Sequence, residues 1–553
     1  MRKAWLAAAL AATAIPAQAG LDSVRSVPVE AVAPDCLAGS APAAKPGAVD
    51  EKPPVLIEGL GYAGFAPDSA DARAKRWFEQ GVRLVWAYDE AEAIRSFRQA
   101  QALDPQCAMC FWGEAWARSP TLNLQPRDEE HGAAAAAASR AASLSAKLGE
   151  RDRGLIGALQ ARLGKAAKFD NRAYMKAMAD LARRFPADDA VLVMAADAHM
   201  VGARTPEEGA PAQGFLETVL GRNPDHSGAI HYYIHLTDFI DKQRLAERYA
   251  NRLGKVAPAA SHLVHMPSHT FYGVGRYRDA AAVNVAALAA EKAYADKVAP
   301  PATEYRTGLA AHNMHFAMES AIMRGDGRTA LDVADRFRKR FSTADKGFRP
   351  VARAATWYAM GLHAPVRAVM EAPEPAPGQT LMRAMRRYAR GEAFARSGDS
   401  AGVRREAAAL AAFLRGPESR ALGNKRIEML VGIARRVLEG RAAMIDGHFR
   451  TATAAYREAM RLQGKAGFGM DPPPFWYSTR RSLAAALLAS GEKQSARLQF
   501  LQTLKDWPND PRALFGLAEA EKALGHGEAA ANALARAQKL WAGDSDALRL
   551  ARL

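Results

Sequence analysis

The stretch AKRWFEQGVRLVWAYDEAEAIRSFRQAQALDPQ, residues 74–106, decides the fold. A helical pattern begins near Asp71, and counted from Ala74 the stretch fits a helix–turn–helix unit of about 34 residues. Trp77, Gly81, Ala93, Phe97, Ala100 and Pro105 fall at its diagnostic places. Small residues let the two helices of a unit approach, an aromatic ring fills the gap between units, and proline ends the second helix. One such pair cannot bury its apolar face alone, whereas stacked copies can.

Copies recur. Counting from Tyr477 places Leu483, Ala484, Leu487, Ala496, Phe500 and Pro508 in register. Counting from Pro511 aligns Leu517, Ala518, Ala530, Leu534 and Ala537, and a weaker copy begins near Ile433 with Gly440, Ala452, Tyr456 and Ala459. The chain thus resembles tetratricopeptide-repeat (TPR) proteins, and within them a group of exported bacterial ones. The narrower likeness is carried by RWFEQGVRLVWAYDEAEAIRSF (76–97), CAMCFWGEAW (107–116) followed by Asn123, HLVHMPSHTFYGVGRY (262–277) and PPPFWYSTRRSLAAALLASG (472–491). The resemblance implies an all-α, right-handed solenoid of antiparallel helix pairs with a concave groove. It supplies a scaffold and no reaction.

The middle of the chain holds the chemistry. It reads DHSGAIHYYIHLTDFIDKQ (225–243), SHLVHMPSHTFYGVGRYRDA (261–280) and AHNMHFAMESAIMRGDGRTA (311–330), and eight of the thirteen histidines lie here. His231 with His235, and His265 with His269, are spaced i,i+4, so each pair shares a helix face and can grip one ion. Registers counted from Ser227, Ser261 and Ala311 refine this, the third following an insertion that includes APPATEYRTG. In TPR proteins the second, fifth and ninth places of the first helix face the groove. Those places hold His231 and His235, then His262, His265 and His269, then His312, His315 and Glu319.

A less regular register from Asp189 adds Asp197, and Glu114 stands where the repeat normally takes leucine. Seven histidines in nine groove places predict a bound transition metal, zinc, copper or iron, with Glu319 and Asp197 as possible oxygen donors. The excess of donors fits either a dinuclear site or histidines that orient the ligands. Two other readings stay open: a groove that holds a peptide or protein partner without metal, and histidines that merely pack. Pro267 argues against an unbroken helix through the second repeat. A helix starting at Pro267 keeps His269 and puts His262 and His265 on its approach.

The 553 residues are 49% hydrophobic and 24% charged, which suits globular packing. The net charge of +16 is spread along the chain, densest in RAMRRYAR (383–390) and the Arg-rich 403–450 region, and predicts solvated faces rather than nucleic-acid binding. The start, MRKAWLAAALAATAIPAQAG, reads as a secretory signal cleaved after Ala19 and too short to anchor in a membrane. A periplasmic or secreted protein is expected.

Residues 20–70, rich in Pro, Ala and Gly, read as a flexible leader or extended strap. Repeats are expected over 71–345, degenerate repeats with a loop at EAPEPAPG over 346–430, and regular repeats over 431–553. In an oxidising compartment Cys107 and Cys110 can bridge, leaving Cys36 over. No Ser-His-Asp order, phosphate-binding glycine loop or dinucleotide fingerprint occurs. Any chemistry would therefore rest on the ion.

Overall fold

The computed structural model describes residues 53–67, 69–123, 128–164, 168–300, 304–341, 349–422, 424–467 and 472–553. The expected signal, its cleavage point and Cys36 lie outside the described residues. Among those described there is no strand, and no helix is long and apolar enough to cross a membrane. Helices pack in successive antiparallel pairs, as an all-α TPR solenoid requires.

The first unit shows why. Asp71 caps the Ala72–Trp86 helix by accepting from the backbone of Arg73 and Ala74. The chain then turns back into Glu90–Leu103, whose Phe97 is wholly buried. A Cβ on Gly81 or on Gly113 of the next unit would lie 2.6 or 2.4 Å from that ring. Phe97 therefore locks two units together, and burying such a ring contributes about 1.5–3 kcal/mol. The same device returns with Gly440 against Tyr456 and Gly516 against Phe500.

The histidine repeats are helices Ser227–Phe239, Ser261–His265 continued by Pro267–Gly273, and Glu304–Arg324. As expected, a helix starts at Pro267, with the proline in its first turn. His262 and His265 lie on the short Ser261–His265 helix before it, separated from it only by Met266, which itself keeps a right-handed helical conformation (φ −50°, ψ −36°). One expectation changes. The third helix begins at Glu304, so the end of the supposed insertion is already helical, and the preceding Tyr277–Val298 helix is itself 22 residues long. Between 349 and 422 the stack is not interrupted. Arg349–His363 packs on Gly327–Arg340 and on Thr380–Arg396, with 372–379 a loop.

The larger difference concerns the groove, whose histidine face is covered from both sides. Residues 53–67 form an extended strap across it: Gln80 holds Ile57 and Val55, Ala259 N donates to Gly59 O at 2.9 Å, and Tyr62 N donates to Ser227 Oγ at 3.1 Å. The first unit follows it inward, with Arg306 Nη2 donating to Asp89 at 2.6 Å. From the other side the last repeats fold back, so that Asn509 Nδ2 donates to Val274 O and Ala542 N to Arg324 O.

This closure depends on Gly275. It has φ +77°, and a Cβ there would lie 1.9 Å from Pro508 O. Gly525 has a similar φ of +84° with open space around it. Gly525→Ala should cost about 1–2 kcal/mol from the left-handed backbone alone. Gly275→Ala should cost about 1–3 kcal/mol more, from overpacking. Urea denaturation of both variants, with limited proteolysis to detect release of the last repeats, checks the difference.

Candidate metal centre

Six of the predicted histidines form two triads. In the first, His235 Nε2 and His262 Nε2 stand 3.1 and 3.0 Å from His231 Nε2. In the second, His265 Nε2 and His269 Nε2 are 3.0 Å apart, and the His312 ring lies beside both. Within each triad one donor atom per residue lies within 4.8 Å of the others. The triads adjoin, with His235 and His269 ring centres 6.1 Å apart and those of His262 and His265 6.0 Å apart. A tetrahedral ion with ligands at about 2.0–2.1 Å sets its donor nitrogens roughly 3.3 Å apart, close to the spacings seen.

The remaining ring nitrogens explain the orientation. His231 Nδ1 lies 2.6 Å from Trp86 O, a carbonyl in the last turn of its helix and so without an intrahelical donor. His265 Nδ1 lies 2.6 Å from Asn284 Oδ1, and Asn284 is turned that way because its amide nitrogen donates to Ala280 O. A carbonyl oxygen can only accept, so both histidines carry their proton on Nδ1 and present a bare Nε2 lone pair to their triad. His269 Nδ1 has the carboxylate of Asp238 at 3.4 Å, the outer partner that commonly orients a metal-bound imidazole.

Burial, ahead of the neighbouring imidazoles, pushes His231 down to about 3 and His235, His262, His265 and His312 well below the usual range. These five imidazoles are thus neutral, the form that ligates metal. Tyr88 seals the first triad, its ring stacked on His262 and edge-on to His231. It does so from the left-handed region (φ 53°), which for a non-glycine residue stores about 1–3 kcal/mol of strain. Beside Tyr88 and His262 opens a cavity of about 200 Å³ walled by Asp89, Tyr294, Arg306 and Thr307.

The other predicted residues fall elsewhere. His315 and Glu319 pair with each other, Nε2 to Oε1 3.1 Å, fully buried but outside both triads. Burial raises the Glu319 carboxyl, whose charge is felt by Tyr358 of the Arg349–His363 helix. Asp197 is buried near Arg162, which only partly offsets the burial that lifts it to about 6. Glu114 is structural: it accepts from Arg98, Gln101 and Arg118, and burial is outweighed by these partners, so its carboxyl sits low. His226 caps the Ser227–Phe239 helix through Ala229 N.

Trp86, Trp112 and Trp116 pack between units, and Cys107 and Cys110 form a disulfide. Trp86 O, Asn284, Asp238 and Tyr88 were not singled out from sequence. Only Asp238 left a signal there, seven residues after His231 and hence on the same helix face.

No protein-family model matches the chain, and no curated protein matches it. Among solved structures it is similar to the TPR domain of P58(IPK), with 13% identity over 85% of this chain and 98% of that one and a TM-score of 0.24. It is similar also to the human IFIT1 dimer with m7Gppp-AAAA, with 12% identity over 86% and 91% and a TM-score of 0.27. Superpositions this loose carry no argument, and the solenoid reading rests on the helix pairing itself.

Asn284→Ala takes the acceptor away from the buried His265 Nδ1–H. It should lower the unfolding free energy by about 1–3 kcal/mol, read by chemical denaturation.

Proposed function

We propose that this solenoid binds transition-metal ions, zinc, copper or iron, one at each histidine triad, as an adjacent pair. The observation that carries the reading is the pair of bare lone pairs, on His231 and His265 Nε2, held in buried positions against further imidazole nitrogens at 3.0–3.1 Å. Convergence of lone pairs without a cation is unfavourable in a desolvated site, and a metal ion turns it into bonding.

Three protein donors leave a coordination position open, as in catalytic rather than structural zinc sites. With the cavity beside His262, this supports metal-dependent chemistry on a small molecule over storage of the ion. The competing reading, a partner peptide lying along the histidine places, is less well supported, because all six are buried. Export is proposed alongside, supported by the N-terminal signal pattern and by the Cys107–Cys110 bridge.

Elemental analysis of protein purified without an affinity tag should find about two equivalents of metal. The triple variant H231A/H235A/H262A should lose the first ion and H265A/H269A/H312A the second, with the helical circular dichroism kept. Glu319→Gln should lose neither. Full metal content in both triple variants overturns the proposal.

A further inference from the structure

A second, larger cavity of about 770 Å³ lies where the last residues of the fold-back meet the turn at Gly325–Gly327 and the Arg349–His363, Thr380–Arg396 and Lys425–Ile445 helices. It is in the size range of small-molecule sites and shares no residue with the histidine triads. Five arginines and three carboxylates line it. The carboxylates are already engaged or turned to solvent. Asp326 caps the Gly327–Arg340 helix and pairs with Arg324, Glu392 accepts from Tyr388 and faces Arg441, and Asp544 is exposed.

The positive groups are less well served. Arg512 is 6% exposed, and its contacts are neutral: it donates to Ile322 O and lies between the rings of Trp541 and Trp476, 4.5 and 5.4 Å away. The nearby Asp510 offsets this charge only in part, since it caps the Pro511–Ala523 helix and is bound by the buried Arg481 at 2.6 Å. Arg396 Nε and His363 Nε2, both on the wall, are buried without a hydrogen-bond partner.

Burial, then the charge of Arg481, pushes the Arg512 guanidinium down to about 9. Burial, then the charges of Arg512 and Arg396, drives His363 to about 3. A buried guanidinium beside two indoles, its one side-chain hydrogen bond going to a neutral carbonyl, on the wall of a cavity lined by four further arginines, is a preorganised receptor for negative charge.

We propose that this cavity binds a small organic dianion, a dicarboxylate or a phosphate monoester, with Arg512 as the central contact and Arg396 as its neighbour on the wall. Bound charge would neutralise Arg512 and tie the last repeats to the middle of the stack, since Arg512 and Trp541 come from the fold-back and Arg396 does not.

Isothermal titration calorimetry of the full chain, in phosphate-free buffer, with succinate and with glycerol 3-phosphate tests this and separates the two sources of charge. At least one probe should bind saturably, and Arg512→Gln and Arg396→Gln should each weaken it at least tenfold. Arg367→Gln, on an exposed helix that does not line the cavity, should leave it unchanged. Should Arg512→Gln lose its helical signal, Arg396→Gln decides alone. No heat from either probe at millimolar concentration, or wild-type affinity in Arg396→Gln, overturns the proposal.

Discussion

The histidine centre depends on two carbonyl oxygens that cannot donate a proton. Trp86 O and Asn284 Oδ1 hold the Nδ1 protons of His231 and His265, and so decide where the opposite lone pairs point. Neither acceptor belongs to the helix whose histidine it fixes. Trp86 ends the first helix of the stack, and Asn284 sits on the outer helix that backs the second histidine repeat. The tautomers are therefore set by how helices pack, and any shift of one helix against another would loosen the donor set.

Packing of that kind needs the groove to be closed. An open solenoid would leave the imidazoles hydrated, with water free to satisfy each nitrogen separately. Here the strap at 53–67 and the inward first unit cover one side while the last repeats close on the other. The interior left between them is dry enough that a histidine pays heavily for a charge. Closure also concentrates unlike electrostatics in separate places. The first triad offers the bare Nε2 of a neutral His231, whereas the cavity at Arg512 is lined by five guanidinium cations. These are two different ways of being ready for a ligand, a lone pair for a cation and a guanidinium for an anion.

The basic residues otherwise behave as a solvated or internally paired shell. Arg387 and Arg390 both bind Glu406, and Arg386 donates to Ala372 O, so the densest basic stretch is tied to its own repeat. Glu114 follows the same logic, buried only because three donors surround it.

What the sequence determined by itself is whatever depends on spacing along one helix or between neighbouring repeats. The 34-residue recurrence set the helix pairs, the glycine–aromatic locks such as Gly81 with Phe97, and the face on which His231, His235, His262, His265, His269 and His312 lie. Spacing also placed His315 and Glu319 on that list, because a helix period tells which way a side chain faces but not which neighbour it meets. Only the tertiary structure decided that those two pair off, that a short helix ending just before Met266 carries His262 and His265 up to the helix at Pro267, and that six histidines divide into two triads. The same holds for Trp86 O, Asn284 and the fold-back that builds the arginine cavity. Their contacts join residues 19 to 235 positions apart on different helices, and no periodicity along one helix encodes which surfaces will close on each other.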